Sequence, residues 1–178
     1  IQNLKHTEEM LDREAFYKAV DLIGDARKIY VIGGRSCSTL ASFLSYYLNY
    51  IFDDVRLIRS DSVTESIEEI HRIEDVIIAI SFPRYSVKTI QTVSFAKNRK
   101  AKIIAITDGA QSPLAKYADC SIYAGSDMVS FVDSLVAPLS VVNVLLAALS
   151  MRYKDSVTDT MLSMESIWNT MNEYEHID

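Results

Sequence analysis

Several features that would settle the class of this chain at once are scarce or missing. Its 178 residues hold two cysteines, Cys37 and Cys120, with neither the spacing of metal ligands nor the density of a disulfide framework, so both are read as reduced, partly buried thiols. The three histidines, His6, His71 and His176, lie far apart with no close Cys or His partner, which leaves no metal motif and no metal expected. Positive charge is not in excess: 18 Lys and Arg stand against 24 Asp and Glu, a net charge of −6. Broad nucleic-acid contact by this segment is thereby disfavoured, because phosphate contacts need clustered cations. The most membrane-like stretch, Val129 to Met151, is interrupted by Asp133, Pro138, Asn143 and several serines before it reaches about 18 unbroken apolar residues. It is read as a buried helix. The opening Ile-Gln-Asn-Leu-Lys-His lacks the apolar core of a signal peptide, and no solenoid repeat or low-complexity tract is visible. A cytoplasmic single domain spanning 1–178, with 49% hydrophobic residues to fill a core, is the expectation.

Familiar nucleotide and hydrolase signatures are absent as well. Gly33 and Gly34 have no third glycine after them to complete G-x-G-x-x-G, and neither a Gly-Lys-Ser/Thr loop nor Gly-x-Ser-x-Gly occurs. No cofactor is expected. What is present is Ile29-Tyr-Val-Ile-Gly-Gly-Arg-Ser-Cys-Ser-Thr-Leu40. A β-branched run stops at two glycines, serines follow, and apolar residues then recur at helical spacing, which predicts strand, tight turn and helix. Such a turn aims unpaired helix N–H groups and serine hydroxyls above the sheet edge, a setting suited to phosphate or another small anion.

Along the chain, residues 1–27 are expected to form an N-terminal helix and linker, with Thr7 as cap, Leu11, Ala15, Phe16, Val20 and Ile23 as the apolar face and Gly24 as the stop. Strands are predicted near 28–32, 55–58, 76–80, 102–106 and 120–123. Helices are expected between them: 38–51, one begun by Ser62 or Thr64 that carries Ile67, Ile70 and His71, one from Val87, and a short one after Ser112-Pro113. This alternation predicts an α/β doubly wound, five-stranded parallel sheet over a core of 28–150, in the order 2-1-3-4-5. Two long helices, 133–151 and about 157–174, should follow, so that 151–178 forms a packing helix. In the second, Val157, Met161, Met164, Trp168 and Met171 make a seam for another helix. Self-association as a homodimer or tetramer is expected from that surplus apolar surface.

Ligands of open parallel sheets sit at the strand carboxyl ends, where connections diverge. With strands one and three adjacent, the loops Gly33-Gly34-Arg35-Ser36-Cys37-Ser38 and Ser81-Phe82-Pro83-Arg84-Tyr85-Ser86 face each other. They pool four hydroxyls, two guanidiniums and two helix N-termini, a set matched to a phosphorylated, hydroxyl-rich molecule. For acid–base chemistry the candidates are Glu65 and His71 after the second strand.

In sequence order, Gly-x-Arg-Ser-x-Ser, Ser-x(4)-Ser, Thr107-Asp108 with Ser112-Pro113-Leu114-Ala115, and Ala118-Asp119 resemble the sugar isomerase (SIS) domain over about 28–150. Within it, Arg35-Ser36, Phe82-Pro83-Arg84-Tyr85-Ser86 and Phe131-Val132-Asp133-Ser134-Leu135 are similar to the effector half of RpiR-type bacterial transcription regulators. The resemblance implies a non-enzymatic sensor of a sugar phosphate or related small anion. Its ligand-binding residues would be Gly33, Arg35, Ser36, Ser38, Ser81, Arg84, Tyr85, Ser86 and Asp133, with DNA bound only through an N-terminal helix-turn-helix domain missing from this chain. The lack of an initiator methionine agrees with that expectation of an excised domain. Many SIS domains carry Ser-x-Ser-Gly-x-Thr after the third strand. Here Pro83 removes a backbone donor and Arg84 supplies charge instead. The alternative the resemblance allows is an aldose–ketose phosphate isomerase, for which the segment after strand five offers Asp133 where a Glu is more typical.

Overall fold

Runs of β-branched residues dictate the centre of the molecule. In the computed structural model, which describes residues 1–59, 68–70, 73–128, 130–171 and 173–174, they form β1 (Lys28–Gly33), β2 (Val55–Ile58), β3 (Asp75–Ile80), β4 (Lys102–Thr107) and β5 (Cys120–Tyr123). All pairings are parallel and the order is β2-β1-β3-β4-β5, as expected of an α/β doubly wound sheet. Val31 lies between Leu57 on one side and Ile78 on the other. Every residue of β3 is buried, as a central strand covered on both faces must be.

Strand alternation splits the core in two. Ile29, Val31, Ile78, Ile80 and Ile104 face one layer, where they meet Phe16 and Ile23 of α2 (Arg13–Gly24), Leu44 and Leu48 of α3 (Cys37–Leu48), and Leu145 and Leu149 of α5 (Val136–Arg152). Tyr30, Ile77, Ala79 and Ile103 face the other, with Val93 and Ala96 of α4 (Val87–Asn98). Each isoleucine removed from water in this way contributes about 2 kcal/mol.

At the N-terminus a single capped helix was the expectation, and two are found. α1 (Gln2–Glu9) ends early because Asp12 caps α2, its Oδ1 accepting from the Ala15 N–H at 3.0 Å. Thr7 is not a cap: its hydroxyl donates to the Asn3 carbonyl at 2.7 Å and accepts from the Gly125 N–H at 2.8 Å. α5 likewise starts at Val136 rather than at Asp133. Pro138 accounts for this, since it fits a first turn, whereas in a helix begun at Asp133 it would remove an interior hydrogen bond and clash with a carbonyl. Asp133 is thereby left in the connection from β5.

The last helix, α6 (Lys154–Met171), leaves α5 at 97°. Of the predicted seam, Val157, Met164 and Trp168 are partly buried, while Met161 and Met171 are exposed. After Ser112-Pro113 the chain forms only a 3-10 turn, Ala115–Tyr117, with Ser112 Oγ accepting from the Leu114 N–H at 3.2 Å. No single helix among the described residues is long and apolar enough to cross a membrane. Ser62, Thr64, Glu65, Ile67 and His71 lie outside the described residues.

Glycine is required at the end of β1 for space, not for a left-handed backbone. A Cβ on Gly33 would lie 2.5 Å from the Cys37 carbonyl oxygen, whereas one on Gly109 would meet nothing within 4 Å. Gly33→Ala should therefore cost about 2 kcal/mol in urea denaturation and Gly109→Ala almost nothing; equal effects would refute this account of the turn. Both cysteines are buried, and burial pushes the Cys37 thiol up and the Cys120 thiol up to about 11. At pH 8 both should react with a thiol reagent far more slowly in the folded chain than in denaturant.

Candidate functional site

β1 and β3 are neighbours whose following helices cover opposite faces of the sheet, so their carboxyl ends form the switch point of the fold. The two turns that leave them touch. A Cβ on Gly34 would come within 2.4 Å of Ser86 Oγ and 2.7 Å of Ser86 Cβ, so only glycine lets the turns approach this closely. Between them and the β5–α5 connection lies a cavity of about 180 Å³, lined among others by Arg35, Ser36, Ser81, Arg84, Ser86 and Asp133.

Both arginines at its rim have left-handed backbones, φ 56° at Arg35 and 64° at Arg84. Such a conformation costs a residue with a Cβ about 1 to 3 kcal/mol, and it persists where surrounding contacts enforce it. Here the turns are fixed by hydrogen bonds. The N–H groups of Cys37, Ser38 and Thr39 bond back to the carbonyls of Gly34, Arg35 and Ser36 at 3.1, 3.0 and 3.3 Å. On the β3 side, Ser81 Oγ accepts from the Ser86 N–H and Ser86 Oγ from the Thr89 N–H, both at 3.3 Å. The first-turn N–H groups of α3 that the sequence suggested for an anion are thus used within the turn. Hydroxyl and guanidinium side chains remain as donors.

Ser36 holds the N-cap position of α3 without capping it; its hydroxyl donates to the Asp133 carboxylate instead. Arg84 Nη2 stands 3.5 Å from the other carboxylate oxygen. The Ser36 hydrogen bond is the largest cause holding the Asp133 carboxyl below its usual range; desolvation opposes it, and the charge and hydrogen bond of Arg84 add to the lowering. Tyr85, one residue on, turns away from the cavity and donates to Asp108 at 2.9 Å. Burial, then the hydrogen bond to Asp108 and its charge, push that phenol up.

Beneath the cavity, Thr107 Oγ1 donates to the Ser81 carbonyl at 2.7 Å and lies 2.8 Å from Ser112 Oγ, both contacts fully buried. Gly33 and Ser38 line a separate recess on the β2 side of the Arg35 turn, together with Ser42 and Arg59. Of the nine residues expected to bind ligand, the cavity therefore gathers six, while Gly33, Ser38 and Tyr85 lie outside its lining. Sequence reasoning did not single out Asn3 or Asp127. Asn3 Nδ2 donates to the Asp127 carbonyl and to Ser134 Oγ, both at 3.0 Å, and a link across more than 120 residues leaves no local signal. Among the described residues no cluster of His, Cys, Asp and Glu could hold a metal ion.

The family model described as SIS domain matches residues 22–148. An uncharacterized HTH-type transcriptional regulator of Clostridium perfringens is 33% identical over 121 residues, 67% of this chain and 43% of its own length. Three further HTH-type regulators are spanned over 53% to 63% of their lengths, so the chain covers about half of such relatives. Among solved structures, the sugar isomerase domain of an RpiR transcription factor from Sphaerobacter thermophilus is 27% identical, with 93% of each chain covered and a TM-score of 0.88. The NanR protein of Vibrio vulnificus, complexed with ManNAc-6P, shares the fold at 21% identity and a TM-score of 0.81, over 93% of this chain and 66% of that one. With the family model covering most of its length and its sheet in the same architecture, the chain belongs to the SIS domain family.

Proposed function

We propose that this SIS domain is the ligand-sensing part of an RpiR-type transcription regulator, and that it binds a sugar phosphate or a related small anion in the cavity between the β1 and β3 turns. The observation that carries this reading is the convergence of Arg35, Ser36, Arg84 and Ser86 on one cavity at the switch point. Two guanidiniums recognise the charge, and hydroxyls supply orientation. The kinship with HTH-type regulators and the ManNAc-6P bound by the Vibrio protein support it. On this reading DNA contact belongs to a helix-turn-helix segment outside this chain, and the regulator works in the cytoplasm. The domain pairs with a second copy through apolar residues that α6 leaves exposed, among them Met161, Leu162 and Ile167.

An isomerase would need a base that moves a proton between adjacent carbons. Asp133, the one described candidate, is held by Ser36 and Arg84 with its basicity lowered. That makes Asp133 a poor base, while Glu65 and His71 lie outside the described residues; the kinship with HTH-type regulators is what favours sensing.

Proton and phosphorus NMR of the domain mixed with sugar phosphates and sugar acids should broaden the lines of one compound without new product peaks. Growth of an isomer's peaks would make the protein an enzyme. Replacing Ser36 and Ser81 together by alanine should weaken binding of that compound about tenfold or more, the effect of losing one or two hydrogen bonds to a charged group. Unchanged affinity would remove the ligand from this cavity.

A further inference from the structure

The Ser36 hydroxyl has one proton to donate, and it is given to Asp133. Arg84, two-thirds exposed, faces the same carboxylate. An anionic ligand seated on these donors would place two negative charges within a cavity of about 180 Å³, and like charges that close exclude one another. Among the described residues, Ser36 and Arg84 are the side chains that hydrogen-bond Asp133. It lies outside α5, beside the exposed Phe131 and Val132, so no helix fixes its position.

The next residue points the other way. Ser134 Oγ accepts from Asn3 Nδ2 at 3.0 Å. The Asn3 side chain also brackets the Asp127 backbone, donating to its carbonyl at 3.0 Å and accepting from its N–H at 3.2 Å. One turn on, Thr7 bonds the Gly125 N–H in a buried contact. A Cβ on Gly125 would come within 2.9 Å of the Asn3 carbonyl oxygen. α1 is therefore anchored on the connection that carries Asp133.

We propose that the Asp133 carboxylate is an internal stand-in for the ligand's anionic group: it holds Ser36 and Arg84 until the ligand takes them, and its release loosens the Ser134–Asn3 tie, one of the contacts that anchor helix α1. The proposal rests on the reading of the cavity as the anion site and adds the path by which occupancy is reported. α1 precedes the sheet, on the side where an N-terminal DNA-binding segment would join. A ligand shifts such an equilibrium only through its different affinity for the two states, and here competition with Asp133 supplies the difference.

The test uses inorganic phosphate as probe, with binding followed by phosphorus NMR and amide exchange of residues 2–9 by mass spectrometry. Asp133→Asn removes the competing charge and should bind phosphate about tenfold more tightly than the wild type. Phosphate should accelerate exchange in α1 of the wild type. Coupling is reciprocal, so Asn3→Ala, which does not touch the cavity, should show fast α1 exchange without phosphate and should also tighten phosphate binding. If the wild type binds phosphate and Asp133→Asn binds it equally or less well, the stand-in is refuted while the cavity remains an anion site. If Asp133→Asn binds more tightly but α1 exchange never responds, the transmission path is refuted. If phosphate binds to neither protein, the anion site and the proposal built on it fall together.

Discussion

The close approach of the β1–α3 and β3–α4 turns is the constraint on which the rest of the switch point depends. It is permitted by the missing Cβ of Gly34, on which Ser86 of the other turn presses, while Gly33 makes room for the Cys37 backbone within its own turn. Once the turns are that close, the chain has little freedom left at their crests. The left-handed backbones fall on Arg35 and Arg84, residues that bear the conformational cost and also bring the charge. Strain and function coincide there because the same packing that enforces the backbone also directs the guanidiniums to one place.

The serines divide their labour in a way that their common residue type conceals. Ser81 and Ser86 accept backbone N–H groups and keep the β3 turn in shape. Ser36 makes no such cap and offers its proton across the cavity. All three line the cavity, so similar hydroxyls differ in whether they also brace a turn, and only their hydrogen-bond partners distinguish them.

Much of this was legible in the residues. Short β-branched runs such as Val76 to Ile80 can hardly be anything but buried strands, and their alternation with helices leads to the parallel sheet and to the pairing of the two loops. The misplaced features have physical reasons. Asp12 competed with Thr7 as a cap and won because Thr7 had a distant partner in Gly125. Pro138 set the start of α5, a signal that was present and outweighed by the apolar run around it. The outward turn of Tyr85 depends on Asp108, 23 residues away, and the Asn3 contacts span 124 and 131 residues. Pairings at such separations come from the tertiary fold and cannot be read from local pattern.

The buried Thr107 hydroxyl, joined to the Ser81 carbonyl and Ser112, gives the cavity a floor tied across β3 and β4, while its far wall hangs on a few exposed or half-exposed contacts at Asp133 and Asn3. The two sides would thus respond on different timescales. The stiff side sets which molecules fit, and the loose side sets how long one stays, so residence time could be altered by changes near α1 that leave selectivity untouched.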